Sequence, residues 1–350
     1  MKKALAFILM FTLLITVSLA GCAKTSETQN QDQPGDASNT ESLKVSLVVA
    51  GGLGDRSFYD SANEGIERAK KELGVEAKVF ECRNDPSLFN DQLIQASQYG
   101  STVVVVGFEF YDAIQEVAVE FPDIKYIYVD NVVEGIANIT SIDYMENEGS
   151  FLAGALAAML TQDTSIEGMN DKKVIGMVGG MDIPVIRNFK VGYEEGAKYI
   201  DPDMKIETIF AGDFEDPAKG KESALALYAK GVDIVFAVAG KTGEGVFEAA
   251  KDTKAYAIGV DSDQRYINPD AIVASMIKGV GLSIFESIQK IQEGTFESGN
   301  VYRYGINEKG VAMGYGTSDM KQFATEDMKK KIEEIQQKIV SGEIKVTEIN

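Results

Sequence analysis

Short runs of β-branched and aromatic residues alternate with stretches of helical periodicity from Leu43 onwards. Several runs are almost continuously Val, Ile and Tyr, which is typical of parallel strands covered on both faces. Eight runs are predicted as strands: Lys44–Ala50, Glu76–Glu81, Thr102–Gly107, Lys125–Asp130, Lys173–Gly179, Lys205–Ala211, Asp233–Ala239 and Ala255–Asp261. Helical patterns lie between them, over Ser61–Leu73, Glu148–Leu160, Val191–Tyr199, Ser223–Ala229 and Gly243–Lys251. This order predicts an α/β fold with doubly wound parallel sheets.

A weak internal repeat accompanies the alternation. A glycine pair, a phenylalanine and a further glycine occur in each half, as Gly51-Gly52, Phe58 and Gly65 and as Gly179-Gly180, Phe189 and Gly196. The interval from the phenylalanine to the last glycine is seven residues in both halves. The repeat predicts two lobes that each begin with a strand, a glycine turn, an aromatic residue and a helix, although ordinary βαβ units share such punctuation.

The predicted lobes are joined by several crossing segments. The N-terminal lobe is assigned residues 44–145 and about 264–295, and the C-terminal lobe residues 146–263 and about 296–350. The chain is expected to cross near Tyr144–Glu148 and Asp263–Ile272 and again after about Gly294. Ligands of such sheets bind beyond the carboxyl ends of the strands, so the cleft between the lobes is the predicted site.

The first 43 residues differ in composition from the rest of the chain. Lys2 and Lys3 precede an uncharged run that ends in Leu19-Ala20-Gly21-Cys22 and resembles a bacterial lipobox. The resemblance implies a signal peptide over residues 1–21 and a lipid on Cys22 that anchors the protein to the bacterial cell membrane; a plain transmembrane anchor is the alternative. Residues 22–43 are polar and are predicted to form a flexible tether rather than a docked arm.

Charge and residue usage argue against several classes of function. The chain has 34 Lys and Arg against 54 Asp and Glu, and its net charge of -20 opposes binding of nucleic acid. It contains no His, which removes histidine-based triads and histidine metal ligands. Of the two cysteines, Cys82 is expected to be a small buried hydrophobic residue at a strand end. A binding protein without catalytic residues, metal or cofactor is therefore favoured over an enzyme.

Aromatic side chains occur within a few residues of several predicted strand ends. Such rings could hold a flat ligand between two lobes, although core packing explains any one of them as well. The candidates are Phe58, Tyr59, Phe108, Phe189 and Phe214. The glycine turns at Gly51–Asp55 and Gly240–Gly245 match neither dinucleotide nor P-loop spacing. We therefore expect Gly240 to permit close approach of an uncharged ligand.

Polar candidates lie beside these rings, namely Asp55, Asp130, Asn131, Asp261 and Lys278. Carboxylates at strand ends accept hydrogen bonds from vicinal hydroxyls or from the N–H groups of a base, and a lysine completes a pattern suited to ribose. Each acid could instead be a solvated loop residue or a helix cap.

Eight segments of the chain occur in the order known from one protein family. They are the lipobox, GDRSFYDSANEGIERA, YVDNVV, SFLAGALAAML, IGMVGGMDIPVIRNFKVGYEEGAK, AVAGKTGEGVFEAAK, IGVDSDQ and ASMIKG. Together they resemble the basic membrane protein family, the purine-nucleoside-receptor type of substrate-binding lipoprotein that serves ABC importers. The likeness extends from Lys44 to about Gly316. It implies a type I periplasmic-binding-protein-like fold with a hinge, a nucleoside in the cleft, and permease subunits as partners.

The resemblance also implies roles for single residues. The family's stacking phenylalanine falls on Phe58, the acid after the fourth strand on Asp130, the ribose-binding acid on Asp261 and its lysine on Lys278. The second stacking ring falls on either Phe214 or Phe189.

The chain departs from the family where the base is bound. Typical members carry an Asp nine residues before the stacking phenylalanine and an Asn directly after it, whereas this chain has Val49 and Tyr59. Asp55 is a candidate substitute for the missing acid. Without that acid, we expect looser discrimination among bases, because an absent hydrogen-bonding group cannot penalise the wrong edge.

The predicted function is that of a monomeric substrate-binding lipoprotein for a nucleoside, expected to be a purine nucleoside. Two alternatives stay open. The first is a binder of another small ligand, such as a sugar, with a sensing role. The second is a nucleosidase that would use two carboxylates.

Overall fold

The computed structural model of the protein describes residues 42–349. Cys22, the predicted signal peptide and residues 23–41 of the predicted tether lie outside the described residues. The last two residues assigned to the tether are part of the body, because the Ser42 hydroxyl donates to the Glu76 carboxylate and the Glu76 amide donates to the Leu43 carbonyl at 2.9 Å. The packed body therefore begins before the predicted boundary.

Between residues 42 and 349 the chain forms twelve strands and nine α-helices. The strands are β1 (Lys44–Val49), β2 (Glu76–Glu81), β3 (Thr102–Val106), β4 (Lys125–Val129), β5 (Ile139–Tyr144), β6 (Val174–Gly179), β7 (Lys205–Phe210), β8 (Ile234–Val238), β9 (Tyr256–Asp261), β10 (Ile272–Lys278), β11 (Val301–Tyr304) and β12 (Val311–Gly314). The helices are α1 (Phe58–Leu73), α2 (Phe89–Tyr99), α3 (Tyr111–Glu120), α4 (Glu146–Thr161), α5 (Pro184–Ile200), α6 (Pro217–Ala229), α7 (Thr242–Thr253), α8 (Val280–Glu293) and α9 (Glu326–Val340). None of these helices is long and apolar enough to cross a membrane.

The strands form two six-stranded sheets with the same order. The first sheet is β2-β1-β3-β4-β5-β11 and the second is β7-β6-β8-β9-β10-β12. Every pairing is parallel except that of β12 with β10, which is antiparallel. The shared order confirms the predicted internal repeat. Both sheets lie in one compact unit that begins at Ser42.

All eight predicted strands are present, and their ends lie within one residue of the prediction. The pattern missed β5, β10, β11 and β12, and α2, α3, α8 and α9 lie outside the helical patterns named above. β11 and β12 have only four residues each and lie at sheet edges, so they carry no apolar run. The predicted helices begin one to seven residues too late, and in α1 and α5 the missed first turn follows the glycine loop.

Glycine permits close packing of one helix pair in each lobe. Gly65 of α1 lies against the backbone of Gly281 at the start of α8. Gly196 of α5 lies against the carbonyl of Phe151 in α4. A Cβ atom at either glycine would collide with backbone atoms, so no other residue allows this approach. The repeated glycine of the sequence therefore serves helix packing in both lobes.

The chain crosses between the sheets at three places, two of which differ from the prediction. The first crossing is at Met145, between β5 and α4, as expected. The second follows Lys278, because β10 pairs with β9 and its apolar side chains fill the core of the second lobe. Residues 272–278 therefore belong to the second sheet, in the C-terminal lobe, and not to the N-terminal lobe to which they were assigned.

The third crossing lies in the turn between β11 and β12. β11 pairs with β5 of the first sheet, so residues 301–304 do not belong to the C-terminal lobe as assigned. α8 packs against α1 in the first lobe through Val280, Ile284 and Ile288. Hydrophobic pattern alone cannot tell which of two similar sheets a strand joins, because both offer the same kind of covered edge.

Candidate functional site

Strand ends and loops of both sheets face a common pocket. The empty space of the pocket is about 620 Å³, a figure that includes open solvent at its mouth. Its lining residues are Asp55, Phe58, Tyr59, Gly107, Phe108, Glu109, Asp130, Ile183, Val185, Ile186, Phe189, Phe214, Glu215, Val238, Ala239, Gly240, Val260, Asp261 and Lys278.

Ten of the eleven predicted binding residues line this pocket, and Asn131 does not. The Asn131 side-chain oxygen accepts a hydrogen bond from the Val132 amide at 2.8 Å, and its side chain is also a partner of the Tyr128 hydroxyl. The Asn131 side chain therefore stabilises the turn after β4, outside the lining of the pocket. Val49 is fully buried in the core of the first lobe and does not line the pocket either.

Lys278, at the end of β10, is the centre of a buried charge cluster. Its ammonium group forms an ion pair with Asp130 and lies 2.9 Å from Oε1 of Glu146, and its side chain is only 2% exposed. Glu146, at the start of α4, was not predicted as part of the site. The rings of Phe58 and Phe189 have their centroids 5.2 and 5.5 Å from the lysine nitrogen. The cluster therefore joins the ends of strands from both sheets.

Burial and charge act against each other in this cluster. Burial alone would lower the pKa of Lys278, but the surrounding carboxylates raise it above its ordinary value, so the amine stays charged. Burial raises the pKa of Asp261 to about 6, although Lys278 and Ser57 lower it in part. Burial also raises the pKa of Glu146 despite the opposing effect of Lys278. The charged ammonium group of Lys278 therefore lies among carboxyl groups whose own pKa values burial raises.

Hydrogen bonds beside the pocket link the loop before α1 to the loop after β9. The Ser57 hydroxyl donates to the Asp261 carboxylate. The Ser262 hydroxyl and the Gln264 side-chain amide both donate to the Arg56 carbonyl, at 3.2 and 2.9 Å. These bonds hold the first lobe against the second at the rim of the pocket.

Asp55 fixes the loop that carries Phe58. Its carboxylate accepts hydrogen bonds from the backbone amides of Ser57, Tyr59 and Asp60 at 2.9–3.0 Å. This arrangement satisfies free amides in the first turn of α1, as a capping residue does. Asp55 thus lines the pocket, but its carboxylate oxygens already accept hydrogen bonds from backbone amides. Asp55 is therefore not favoured as the acid that replaces the missing base-binding Asp.

Three phenylalanine rings of the pocket keep part of their surface accessible. Phe58, Phe108 and Phe214 are half-buried, whereas Phe189 is only 2% exposed and packs into the core of the second lobe. The Phe214 ring lies directly against Gly180, where any Cβ atom would collide with it. Of the two candidates for a second stacking ring, Phe214 is the accessible one.

Two acids of the pocket were missed at the level of sequence. Glu109, in the short 3-10 turn after β3, and Glu215, in the loop after β7, both line the pocket. Burial raises the pKa of Glu109 to about 7, and the charges of Asp130 and Glu215 add to the rise. Burial raises the pKa of Glu215 as well. Each acid directly follows a predicted aromatic, Phe108 or Phe214, and that adjacency was the available signal.

Acidic groups outnumber basic groups in the pocket. The lining includes the carboxyl groups of Asp55, Glu109, Asp130, Glu215 and Asp261 and the single amino group of Lys278. This excess of negative charge opposes phosphate groups and suits a ligand rich in N–H and O–H donors. Over residues 42–349, no group of three or more His, Cys, Asp or Glu side chains is arranged to hold a metal ion.

The chain is similar to substrate-binding proteins of ABC transporters. The family described as ABC transporter substrate-binding protein, PnrA-like, matches residues 42–350. Basic membrane protein A1 of Borrelia garinii subsp. bavariensis is 35% identical over 87% of this chain and 88% of that protein. The ABC transporter nucleoside-binding protein BmpA of Lactococcus lactis subsp. cremoris is 31% identical over 99% of both chains.

A solved structure shows the same architecture. The solute-binding protein of an ABC transporter system from Aeropyrum pernix K1 superposes with a TM-score of 0.78 at 28% identity, covering 87% of this chain and 92% of that one. The predicted periplasmic-binding-protein-like fold is thereby confirmed, and so is the family resemblance of the sequence. The chain belongs to the PnrA-like family of ABC transporter substrate-binding proteins.

Proposed function

We propose that this protein binds a nucleoside in the pocket between its two sheets and delivers it to the permease subunits of an ABC importer. The observation that carries the proposal is the combination, in one pocket, of accessible phenylalanine rings with the buried cluster of Lys278, Asp130 and Asp261. The name of the Lactococcus lactis relative, a nucleoside-binding protein, supports the same ligand class.

The base is proposed to stack between Phe58 and Phe214. Phe58 begins α1 in the first lobe, and Phe214 follows β7 in the second, so a ring held between them contacts both lobes. Stacking of a base on an aromatic side chain contributes on the order of 1–3 kcal/mol. Phe108 and Tyr59 complete the apolar wall of the pocket.

The ribose is proposed to lie against the Lys278 cluster. Asp261 and Asp130 are acceptors for the vicinal hydroxyls, and the Lys278 ammonium group is a donor to the sugar oxygens. Hydrogen bonds to charged groups contribute about 1.5–3 kcal/mol each. The same pocket disfavours nucleotides, because five carboxyl groups line it and would repel a phosphate.

Binding is proposed to be reversible, to a monomer with one ligand, and to close the lobes without turnover. The hydrogen bonds from Ser57, Ser262 and Gln264 to the facing lobe are the contacts that closure makes. We infer that the protein acts outside the cytoplasm, held at the membrane by the lipid implied by the motif that ends in Cys22.

Isothermal titration calorimetry of the purified protein tests the ligand class. The panel is inosine, guanosine, adenosine, uridine, ribose and a free base. We expect Phe58→Ala to weaken nucleoside binding roughly tenfold to a hundredfold. Tyr111→Ala is the matched control, because Tyr111 is 43% exposed and does not line the pocket.

A second variant separates recognition of the sugar from general damage. Asp261→Ala should weaken nucleosides by a similar factor and leave the free base, which lacks hydroxyls, almost unaffected. Heat from a sugar and none from any nucleoside would exclude the proposed ligand while leaving the fold and family unchanged. Release of free base during incubation would support the nucleosidase alternative.

A further inference from the structure

The acids Glu109 and Glu215 form a second polar cluster of the pocket, separate from the Lys278 cluster. Glu109 belongs to the first lobe and Glu215 to the second. Burial raises the pKa of the Tyr59 hydroxyl, and the negative charges of Glu109 and Glu215 raise that pKa further. The three side chains therefore lie near one another at the junction of the lobes.

The Glu109 carboxylate is folded back over the ends of β1 and β3. Its Oε2 lies 2.5 Å from the position that a Cβ atom of Gly107 would occupy, and Ala50 lies against the same point. Gly107 has a φ of 123°, so glycine is required there both by the backbone and by the space that the carboxylate fills. Glu109 thus places a carboxylate beside the end of β1. Val49, the last residue of that strand, has no acidic side chain.

One oxygen of Glu109 lacks a hydrogen-bond partner. Its Oε2 is buried and accepts no hydrogen bond from any residue between 42 and 349. A buried carboxylate oxygen without a donor is costly, so such an atom at a pocket wall favours a ligand that donates to it. The negative charges of Asp130 and Glu215 also destabilise a charged Glu109 carboxylate. A hydrogen-bond donor on the ligand would therefore stabilise the Glu109 carboxylate all the more.

Glu215 reaches across the junction from the second lobe. Its Oε1 lies 2.9 Å from the position of a Gly51 Cβ atom, and the Asn84 side chain hydrogen-bonds to its carboxylate. Gly51 also lies against the Tyr59 ring. A ligand group held between Glu109 and Glu215 therefore contacts both lobes. It can contact both acids only when the two lobes are closed together.

We propose that Glu109 and Glu215 accept hydrogen bonds from the base edge of the nucleoside and select bases with adjacent N–H donors, as guanine presents at N1 and N2. This inference rests on the proposed nucleoside binding. An ionised carboxylate only accepts hydrogen bonds. Guanine offers it two donors side by side, inosine offers one, and adenine places an acceptor beside its amino group. The expected order of affinity is therefore guanosine, inosine, adenosine. The site discriminates among bases although Val49 carries no acid.

Calorimetry at pH 8 with guanosine, inosine, adenosine and uridine tests this selection. The variants are Glu109→Gln and Glu215→Gln, and Glu134→Gln is the matched control on an exposed loop outside the pocket. For the unaltered protein we expect guanosine to bind at least about tenfold more tightly than adenosine. Each pocket variant should weaken guanosine by roughly tenfold to a hundredfold and adenosine by less than about threefold. The control should change neither.

Two results would overturn the selection. Equal affinity for all four nucleosides, or a loss of the same factor for all four in both pocket variants, would mean that the acids do not contact the base edge, while nucleoside binding itself would stand. Absence of binding by every nucleoside would remove the proposed function and this inference together. Thermal melting of each variant separates loss of contact from loss of folding, since glutamine retains the shape of glutamate.

Discussion

Lys278→Met should destabilise the unliganded protein strongly. The substitution keeps the length and apolar packing of the side chain among the surrounding rings while it removes the charge. It leaves the carboxyl groups of Asp130, Glu146 and Asp261 buried beside each other without a cation. An unpaired buried charge has lost both water and partner, so the folded state bears the whole desolvation penalty.

The magnitude follows from distance and burial. At 2.9 Å and an effective dielectric constant of about 20, a fully ionised Glu146 would be attracted to Lys278 by about 6 kcal/mol. Burial, which raises the pKa of Glu146, offsets part of this attraction. Breaking a buried pair by removing one partner costs about 3–5 kcal/mol of unfolding free energy. We expect Lys278→Met to lose that amount at pH 8. The loss should be smaller near pH 5.5, because protonation relieves the repulsion between the remaining acids.

Urea unfolding followed by circular dichroism measures the effect. Lys219→Met is the matched control: the Lys219 nitrogen also lies 2.9 Å from a carboxylate oxygen, that of Asp213, but its side chain is 47% exposed. An exposed pair of the same length should leave the unfolding midpoint nearly unchanged. The double variant Lys278→Met with Glu146→Gln should recover part of the lost stability.

A loss below about 1 kcal/mol in Lys278→Met at pH 8 would refute the reasoning, because it would place the three carboxyl groups in contact with solvent. The same conclusion would follow if Glu146→Gln added to the damage instead of reducing it.

Two further predictions concern pH and anchoring. Burial raises the pKa of Glu109 to about 7 and the pKa of Asp261 to about 6, so the folded protein binds more protons than the unfolded chain between about pH 5.5 and 7. Its stability should therefore fall as the pH rises through this range. Glu109 contributes roughly 2 kcal/mol of this change, at about 1.4 kcal/mol per pH unit, and a midpoint that rises with pH would contradict the sign. Cys22→Ala should abolish incorporation of labelled fatty acid and release the protein or stall its maturation; equal labelling of the variant would exclude the anchor.

Several properties of this protein were determined by local sequence. Eight strands were placed correctly, and the nearly continuous Val and Ile runs among them, such as β3, are strongly favoured as buried parallel strands. The repeat of glycine and phenylalanine predicted two similar lobes, and both sheets have the same strand order. Most of the ten predicted pocket residues followed from the rule that ligands bind at the carboxyl ends of parallel strands, whereas Lys278 ends β10, a strand that the pattern missed.

Other properties depended on which elements meet in space. Residues 272–278 and 301–304 joined the sheets of the opposite lobes from those to which they were assigned, because pairing partners are chosen by long-range packing that a linear pattern does not contain. The Asn131 side chain turned to a local backbone amide, which competed with the pocket for its hydrogen bond.

The charge of the site was decided by tertiary structure alone. The sequence places Lys278, Asp130 and Glu146 far apart, and only the packed lobes bring them into one buried cluster. Glu109 likewise acquires its raised pKa from burial and from neighbours on other strands and loops. Residue type and spacing determined which elements form and which loops face the cleft, since both depend on local sequence. The protonation of the acids and their partners depended on the fold, because desolvation and Coulomb energies are set by three-dimensional distance.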